Sequence, residues 1–301
     1  MGHGIPAYAR KKYSIGDLAA MKNSLRELGL HTVCESARCP NIGECFKKPT
    51  ATFMILGDVC TRRCRFCAVG KGKPQPPDPA EAEKIVEATG RLGLKHAVIT
   101  SVTRDDLKDG GASEFAAVIS ALRSRYPSLV VEVLTPDFGG SVDSLRTVIA
   151  AGPHIFNHNI ETVPRLYSIV RPQADYRRSL EVLRAAKGMD AAVFTKSGLM
   201  AGLGETEYEV ISVMRDMLEV GVSILTIGQY LRPMKDNLEV AEYVLPEVFD
   251  RYAAAAKEMG FLSVASAPLV RSSYNAEEVF TAIGRHAAPQ IAKSTRATVL
   301  P

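Results

Sequence analysis

ATFMILGDVCTRRCRFC, residues 51–67, carries the decisive reading. Its first half is a short apolar run ending at Gly57 and Asp58, the pattern of a buried strand leaving a sheet. Its second half places Cys60, Cys64 and Cys67 in C-x3-C-x2-C spacing. That spacing lets three thiolates converge on one cubane iron–sulfur cluster and leaves one iron without a protein ligand. An open iron on the loop after a strand makes this loop the first candidate for chemistry.

The other three cysteines, Cys34, Cys39 and Cys45, lie just upstream and leave none over, so both triplets read as three-thiolate metal sites. Three disulfides are the plain alternative, but disulfide frameworks typify small secreted domains, and no apolar signal segment follows MGHGIPAYARKKY. Structural zinc normally closes a tetrahedron with four ligands. A zinc shared between the triplets, or His31 completing the first one, stays open at this point.

Composition bounds the rest. Of 301 residues, 46% are hydrophobic and 23% charged, an ordinary globular balance with ample material for a core. The 37 basic and 33 acidic residues leave a net charge of +4, too even to argue for nucleic acid or a membrane surface as partner. No apolar run approaches the roughly 20 residues that span a bilayer. The expected compartment is the cytoplasm, which keeps thiols reduced.

From about position 50, short apolar runs alternate with helical periodicity. The runs predict strands at 52–56, 97–100, 129–134, 154–156, 191–195, 223–227 and 262–265. Helices are expected between them: one opening at Asp78, Pro79 and Glu81 as N-cap, first-turn proline and capping-box acid, then 113–126, 142–150, 176–187, 207–220 and 247–259. Gly152, Gly188, Gly221 and Gly260 read as stop signals. Repeated βα units imply a parallel sheet with right-handed crossovers. Six units and a final strand are too few for a closed eight-stranded barrel but suit an incomplete (β/α)6 TIM-like barrel; an open doubly wound sheet is the alternative. The expected division is an N-terminal extension at 1–50, a partial barrel at 51–267 and a C-terminal extension at 268–301.

The conspicuous polar residues each follow the C-terminal end of an expected strand, where barrel enzymes place their chemistry. Cys60 to Cys67 follow the first, Ser101 to Asp106 the second, Asp137 the third, and Asn159 and Glu161 the fourth. Lys196, Gly198, Gly202 and Glu205 follow the fifth, Gln229, Tyr230 and Arg232 the sixth, and Arg271, Ser272 and Ser273 the last. Plain readings compete. Asp105, Asp106 and Asp109 beside Gly110 and Gly111 also fit a polar loop with turn glycines. His154 and His158 fit hydrogen-bonded strand-end residues, and Met200, Met214 and Met217 fit core filling. Arg62, Arg63 and Arg65 fit either a solvated loop or groups that tune an anionic cluster or dock an electron donor.

With these residues in view, the chain resembles lipoyl synthases, a family of radical S-adenosylmethionine enzymes, over about residues 31–275. CTRRCRFC is similar to the radical signature, and VCESARCPNIGEC to the family's auxiliary-cluster motif. ATFMILGDVC, ITSVTRDDLKDGGASEFA, FNHNIETV, KSGLMAGLGET, TIGQYLRP and RSSY are also similar. The resemblance implies two 4Fe–4S clusters and S-adenosyl-L-methionine as cofactors. It implies that Cys60, Cys64 and Cys67 hold the cluster that binds S-adenosylmethionine through its open iron. Cys34, Cys39 and Cys45 would hold the second cluster with Ser273 as fourth ligand, an oxygen that is a poorer partner than thiolate for iron in a sulfide cluster.

The same resemblance implies cofactor contacts from Asn159, Glu161, Gly202 and Glu205, from Phe66 on the adenine side, and from Lys196, Gln229 and Tyr230. The implied reaction is insertion of two sulfur atoms at C6 and C8 of a protein-bound octanoyl chain, initiated by a 5′-deoxyadenosyl radical and supplied with sulfur by the second cluster. The implied partners are an octanoylated lipoyl domain of a 2-oxoacid dehydrogenase E2 or a glycine-cleavage H protein, and a low-potential donor of ferredoxin or flavodoxin type. A monomer is expected. Two departures stand out: Phe46 replaces the tryptophan usual after GEC, and LRPMKDNLEV differs from the usual LQPS-type segment. Another radical sulfur-inserting enzyme, or a non-catalytic cluster or zinc scaffold, would share part of this pattern.

Overall fold

Seven parallel strands standing side by side in chain order organise the computed structural model, which describes residues 5–10, 25–36, 39–45 and 49–273. Phe46, Tyr274, the tail and the side chain of Cys45 lie outside the described residues. The strands are β1 His31–Thr32, β2 Thr50–Ile55, β3 Val59–Cys60, β4 Gly70–Lys71, β5 His96–Ser101, β6 Val130–Leu134, β7 Ile155–Asn157, β8 Phe194–Ala201, β9 Ile224–Gln229 and β10 Ser263–Ser266.

The main sheet runs β1-β2-β5-β6-β7-β8-β9-β10, and β3 and β4 form a separate ribbon. Every main-sheet neighbour is parallel except β1, which pairs antiparallel with β2. A doubly wound sheet reverses its strand order; this one does not, so the open alternative is set aside. Among the described residues β10 pairs only with β9, which leaves the barrel incomplete.

Helices form where apolar residues recur at helical spacing. Ala112–Arg125 buries Phe115, Val118, Ile119 and Leu122 on one stripe against the sheet, each large side chain contributing about 2 kcal/mol by burial. Glu207–Glu219 opens on a capping box between Thr206 and Glu209 and buries Val210, Val213, Met214 and Met217. Gly152, Gly221 and Gly260 take positive φ at helix ends as expected.

Several expectations need correction. Strand β8 begins at Phe194, because residues 190–193 are a turn in which Val193 N donates to Asp190 O; Lys196 and Gly198 therefore lie inside the strand. Gly188 lies within the helix Tyr176–Met189. Asp78 is not the N-cap of Glu81–Arg91: it closes a turn on Ala80 N, and Glu81 turns inward to accept from Leu56 N at 2.9 Å. Met214 and Met217 are core, whereas Met200 lines a cavity. His154 Nδ1 accepts from Val131 N at 3.0 Å, and the His158 ring is hydrogen-bonded to Thr135 O at 2.9 Å, as the plain reading had it.

Candidate active site

A cavity of about 800 Å³ opens at the C-terminal ends of the parallel strands. Its floor is the inward row Met54, Thr100 and Leu134, aligned by the register Met54↔Thr100↔Leu134. Its walls are the loops beyond those strand ends, the face a barrel uses for catalysis. Cys34, Cys39, Cys60, Cys64, Cys67 and Ser273 all line it.

The loop of residues 60–67 is clamped from three sides. Thr61 N and Oγ1 both bond Thr103 O, Arg65 N bonds Val170 O at 2.9 Å, and Asn237 Nδ2 reaches Arg65 O and Cys67 O at 3.0 Å each. Two backbone N–H groups, from Arg62 and Thr103, point at Cys60 Sγ at 3.4 and 3.3 Å. Such donors stabilise a sulfur that carries negative charge, and they set cluster potentials. Arg62 is buried and reaches away from the thiols: Nε and Nη2 grip Asp105 at 2.8 Å each, and Nη2 also bonds Asp137 Oδ1 at 2.7 Å. Arg178 Nη1 reaches the other Asp137 oxygen at 3.3 Å. Arg62 is thus an anchor of the loop and neither a solvated residue nor a docking group. The Arg62 charge holds the Asp137 carboxyl down at about 2, although burial works the other way.

Burial pushes the Cys64 thiol upward and Cys67 up to about 11, against the opposing charge of Arg171 at Cys64. Metal-free, both thiols stay protonated at neutral pH; coordination would release those protons. Among the described residues no three His, Cys, Asp or Glu side chains are grouped as one metal ion would gather them.

The first triplet is joined to the C-terminal loop. Asn41 Nδ2 donates to Leu269 O at 2.6 Å, which brings Cys39 and Ser273 to one part of the wall. Ser272 and Ser273 both line the cavity, and Ser272 Oγ accepts from Asn159 Nδ2 at 2.7 Å.

Between the thiol groups lies a polar pocket. Gly198 admits a close approach here: a Cβ would stand 2.6 Å from Thr226 Oγ1 and 3.0 Å from Asn159 Oδ1. Glu161 has φ 69°, a conformation unusual outside glycine, held by a bridge to Leu199. Burial raises its carboxyl, opposed by Arg171. His158 Nε2, Asn159 Oδ1 and Arg171 Nε are buried on this wall without a partner. Unsatisfied polar atoms clustered in a cavity are the signature of a polar ligand site, so the donor set fits a charged, hydrogen-bonding cofactor such as S-adenosylmethionine.

Of the expected cofactor residues, Phe66, Asn159, Glu161, Gln229 and Tyr230 line the cavity. Tyr230 Oη is bonded to Leu238 O, and the Gln229 amide is bound to Tyr230 O, Glu242 O and Val244 N, so these two shape the wall more than they offer free groups. Three other expected contacts lie outside the cavity lining. Lys196 is buried under the cavity, where Nζ pairs with Glu132 Oε1 at 2.8 Å. Glu205 turns back on its own loop, bonding Gly202 N and Leu203 N, and neither Gly202 nor Glu205 reaches the cavity. Arg171, which the sequence did not single out, holds Asn159 O at 2.9 Å and Ile160 O at 3.2 Å; its place beyond the end of β7 was the available signal.

Comparison with known proteins agrees with this geometry. Residues 54–217 match the model of the radical SAM superfamily. A lipoyl synthase of Rubrobacter xylanophilus is 58% identical over 277 residues, 92% of this chain and 86% of that protein. One of Caldanaerobacter subterraneus is 56% identical over 272 residues, 90% of this chain and 95% of that protein. Among solved structures, HydG, a maturase of the [FeFe]-hydrogenase, superposes with TM-score 0.57 at 15% identity over 82% of this chain and 61% of that one. Streptococcus suis SuiB bound to S-adenosylmethionine gives TM-score 0.58 at 9% identity over 73% and 50%. These two similarities concern the fold.

Proposed function

The chain belongs to the lipoyl synthase family of the radical SAM superfamily, and from that premise we propose how its own residues serve the reaction. The protein inserts two sulfur atoms at C6 and C8 of a protein-bound octanoyl chain. S-adenosylmethionine bound to one 4Fe–4S cluster supplies the hydrogen-abstracting radical, and the second cluster supplies the sulfur.

Cys60, Cys64 and Cys67 hold the first cluster, its loop kept rigid by Arg62 and Asn237. Cys34, Cys39, Cys45 and Ser273 hold the second. Asn159 and Glu161, oriented by Arg171, offer hydrogen bonds to the cofactor's polar groups, while Phe66 and Met200 give it apolar walls. The enclosing strands exclude water, which protects a reactive intermediate from side reactions. The presence of Cys34, Cys39, Cys60, Cys64, Cys67 and Ser273 on one cavity carries this reading, because the carbon attacked and its sulfur donor must come within about 3–3.5 Å.

The substrate carriers are an octanoylated lipoyl domain or a glycine-cleavage H protein, and the electrons come from a ferredoxin- or flavodoxin-type donor. The protein works as a cytoplasmic monomer; among the described residues no helix is long and apolar enough to cross a membrane. Residues 1–50 and 268–301 serve as extensions that bring the second cluster's ligands to the partial barrel at 51–267. The test is turnover of the anaerobically reconstituted protein on an octanoylated lipoyl domain. Cys34→Ala should still form 5′-deoxyadenosine without lipoyl product, and Cys60→Ala should form neither. Lipoyl product from Cys34→Ala would end the sulfur-donor assignment.

A further inference from the structure

The cavity wall is richer in cations than in acids. Among the described residues Glu161 is the only acid that lines it, and Asn159 Nδ2 donates to its carboxylate at 3.1 Å. Most of the cations on the wall are occupied. Arg62 is held by Asp105 and Asp137, Arg232 by Glu239, and Arg171 by Asn159 O and Ile160 O. Lys71 stands beside Cys60 on the β3–β4 ribbon. Arg271 lines the same cavity, partly buried, and among the described residues no carboxylate pairs with it.

The chain builds a fixed seat for this residue. Ala267 N donates to Ile227 O and Gln229 N to Pro268 O, both at 3.1 Å, which ties the loop after β10 to the end of β9. Asn41 Nδ2, two residues beyond Cys39, adds its bond to Leu269 O. Gly228 permits the close approach, since a Cβ there would collide with Val270 O and stand 3.1 Å from Arg271 Nη1. Nη1 itself donates to Val270 O at 2.6 Å and to Pro268 O at 3.4 Å, and no described residue accepts from Nε or Nη2. One nitrogen of the guanidinium is therefore spent on holding its orientation, and the others are left for a partner.

Charge identifies that partner. Burial works against a cation here, and the Cys39 sulfur is the negative group that bears on it. A guanidinium taken out of water needs an anion or several acceptors. Cys34, Cys39 and Ser273 line the same cavity, and a sulfide cluster held by thiolates and an oxygen is an anion whose sulfurs accept hydrogen bonds. The planar fork of an arginine suits a face of several acceptors better than the point charge of a lysine.

We propose that Arg271 is the counter-charge of the second cluster, donating from Nε and Nη2 to sulfur on its Cys39 side and so raising both the retention of iron and the reduction potential at that site. In the proposed function, on which this rests, Cys34, Cys39, Cys45 and Ser273 hold that cluster. Net charge and hydrogen bonds to sulfur set a cluster's potential, so removing the cation makes the site harder to reduce. Loss of an outer partner of the metal ligands weakens metal retention by about 10–100-fold.

The experiment uses the full-length chain carrying Cys60→Ala, Cys64→Ala and Cys67→Ala, reconstituted so that the second cluster is the only one. Iron release to a chelator is timed, and a reductive titration is followed by electron paramagnetic resonance. Arg271→Met should release iron about tenfold faster and shift the midpoint to lower potential. Arg271→Gln, polar but uncharged, should do the same and decides the matter if Arg271→Met fails to fold. Arg271→Lys keeps the charge and should retain most of the midpoint. An unchanged midpoint in the uncharged variants would overturn the proposal, even with faster iron release, which would then mark a structural role. An equal drop in Arg271→Lys and Arg271→Gln would overturn it as well. So would parental cluster properties with weakened binding of an octanoyl-lysine peptide, which would give the guanidinium to the substrate amide. A starting chain that takes up zinc or no metal would end the proposed function and this assignment with it, whereas a normal cluster untouched by the uncharged variants ends this assignment alone.

Discussion

Replacing Lys196 by methionine isolates what the charge beneath the cavity does. Lys196 and Glu132 are both 0% exposed, their Nζ–Oε1 distance is 2.8 Å, and His96 lies 3.3 Å from the other Glu132 oxygen. Burial alone would raise the Glu132 carboxyl; the Lys196 charge, helped by His96, reverses that and brings it to about 2. Removing one partner of a buried pair leaves an uncompensated charge and costs about 3–5 kcal/mol, or roughly 10 °C in melting temperature for a domain of this size. Removing both in Glu132→Leu/Lys196→Met restores an apolar interior and should recover most of the loss.

The sign with pH follows from the depressed carboxyl. Its contribution is full above the ordinary value of 4.5 and is lost as pH falls toward about 2. In Lys196→Met the carboxyl takes up a proton, so the difference from the parent should shrink on acidification below pH 4.5. Urea denaturation of the three proteins between pH 7 and pH 3 measures this. A Lys196→Met protein with parental stability but weakened S-adenosylmethionine binding would refute the placement and return Lys196 to the cofactor site.

Other outcomes are equally specific. Arg62→Ala strips the buried Asp137 of its closest cation and should cost about 3 kcal/mol in denaturation, with faster chelator removal of iron from the first cluster. Gly198→Ala drives a Cβ to 2.6 Å from Thr226 Oγ1 and 3.0 Å from Asn159 Oδ1; it should weaken S-adenosylmethionine binding by roughly tenfold, in line with the loss of one well-placed polar contact, and lower calorimetric stability by about 1–3 kcal/mol through overpacking. Burial holds His158 down at about 4 from 6.5, so the native state resists a proton that the unfolded chain accepts. Stability should therefore fall as pH drops from 6.5 toward 4, and His158→Gln should flatten that part of the profile; an NMR titration giving His158 an ordinary value would contradict it.

The sequence by itself determined the chemistry and the architecture. Ligand spacing is a local property, so CTRRCRFC was legible as the candidate cluster loop. Strand–helix alternation is periodic, so the parallel partial barrel was legible, as was the place of Cys60, Cys64, Cys67, Asn159, Glu161 and Gln229 on one rim. Alternation could not fix strand limits where polarity is ambiguous: Ala191 to Val193 read as strand, yet Asp190 draws them into a turn and moves Lys196 below the rim. The family resemblance implied Gly202 and Glu205 as cofactor contacts, and the structure adds that the Glu205 carboxylate closes its own loop. Only tertiary structure could decide these, because burial and pairing arise between segments far apart in the chain. Arg62 finds Asp105 and Asp137, Arg171 finds Asn159 and Ile160, and Asn41 finds Leu269. Each pairing offsets the cost of burying charge or polarity, and none of them has a period or a spacing to read.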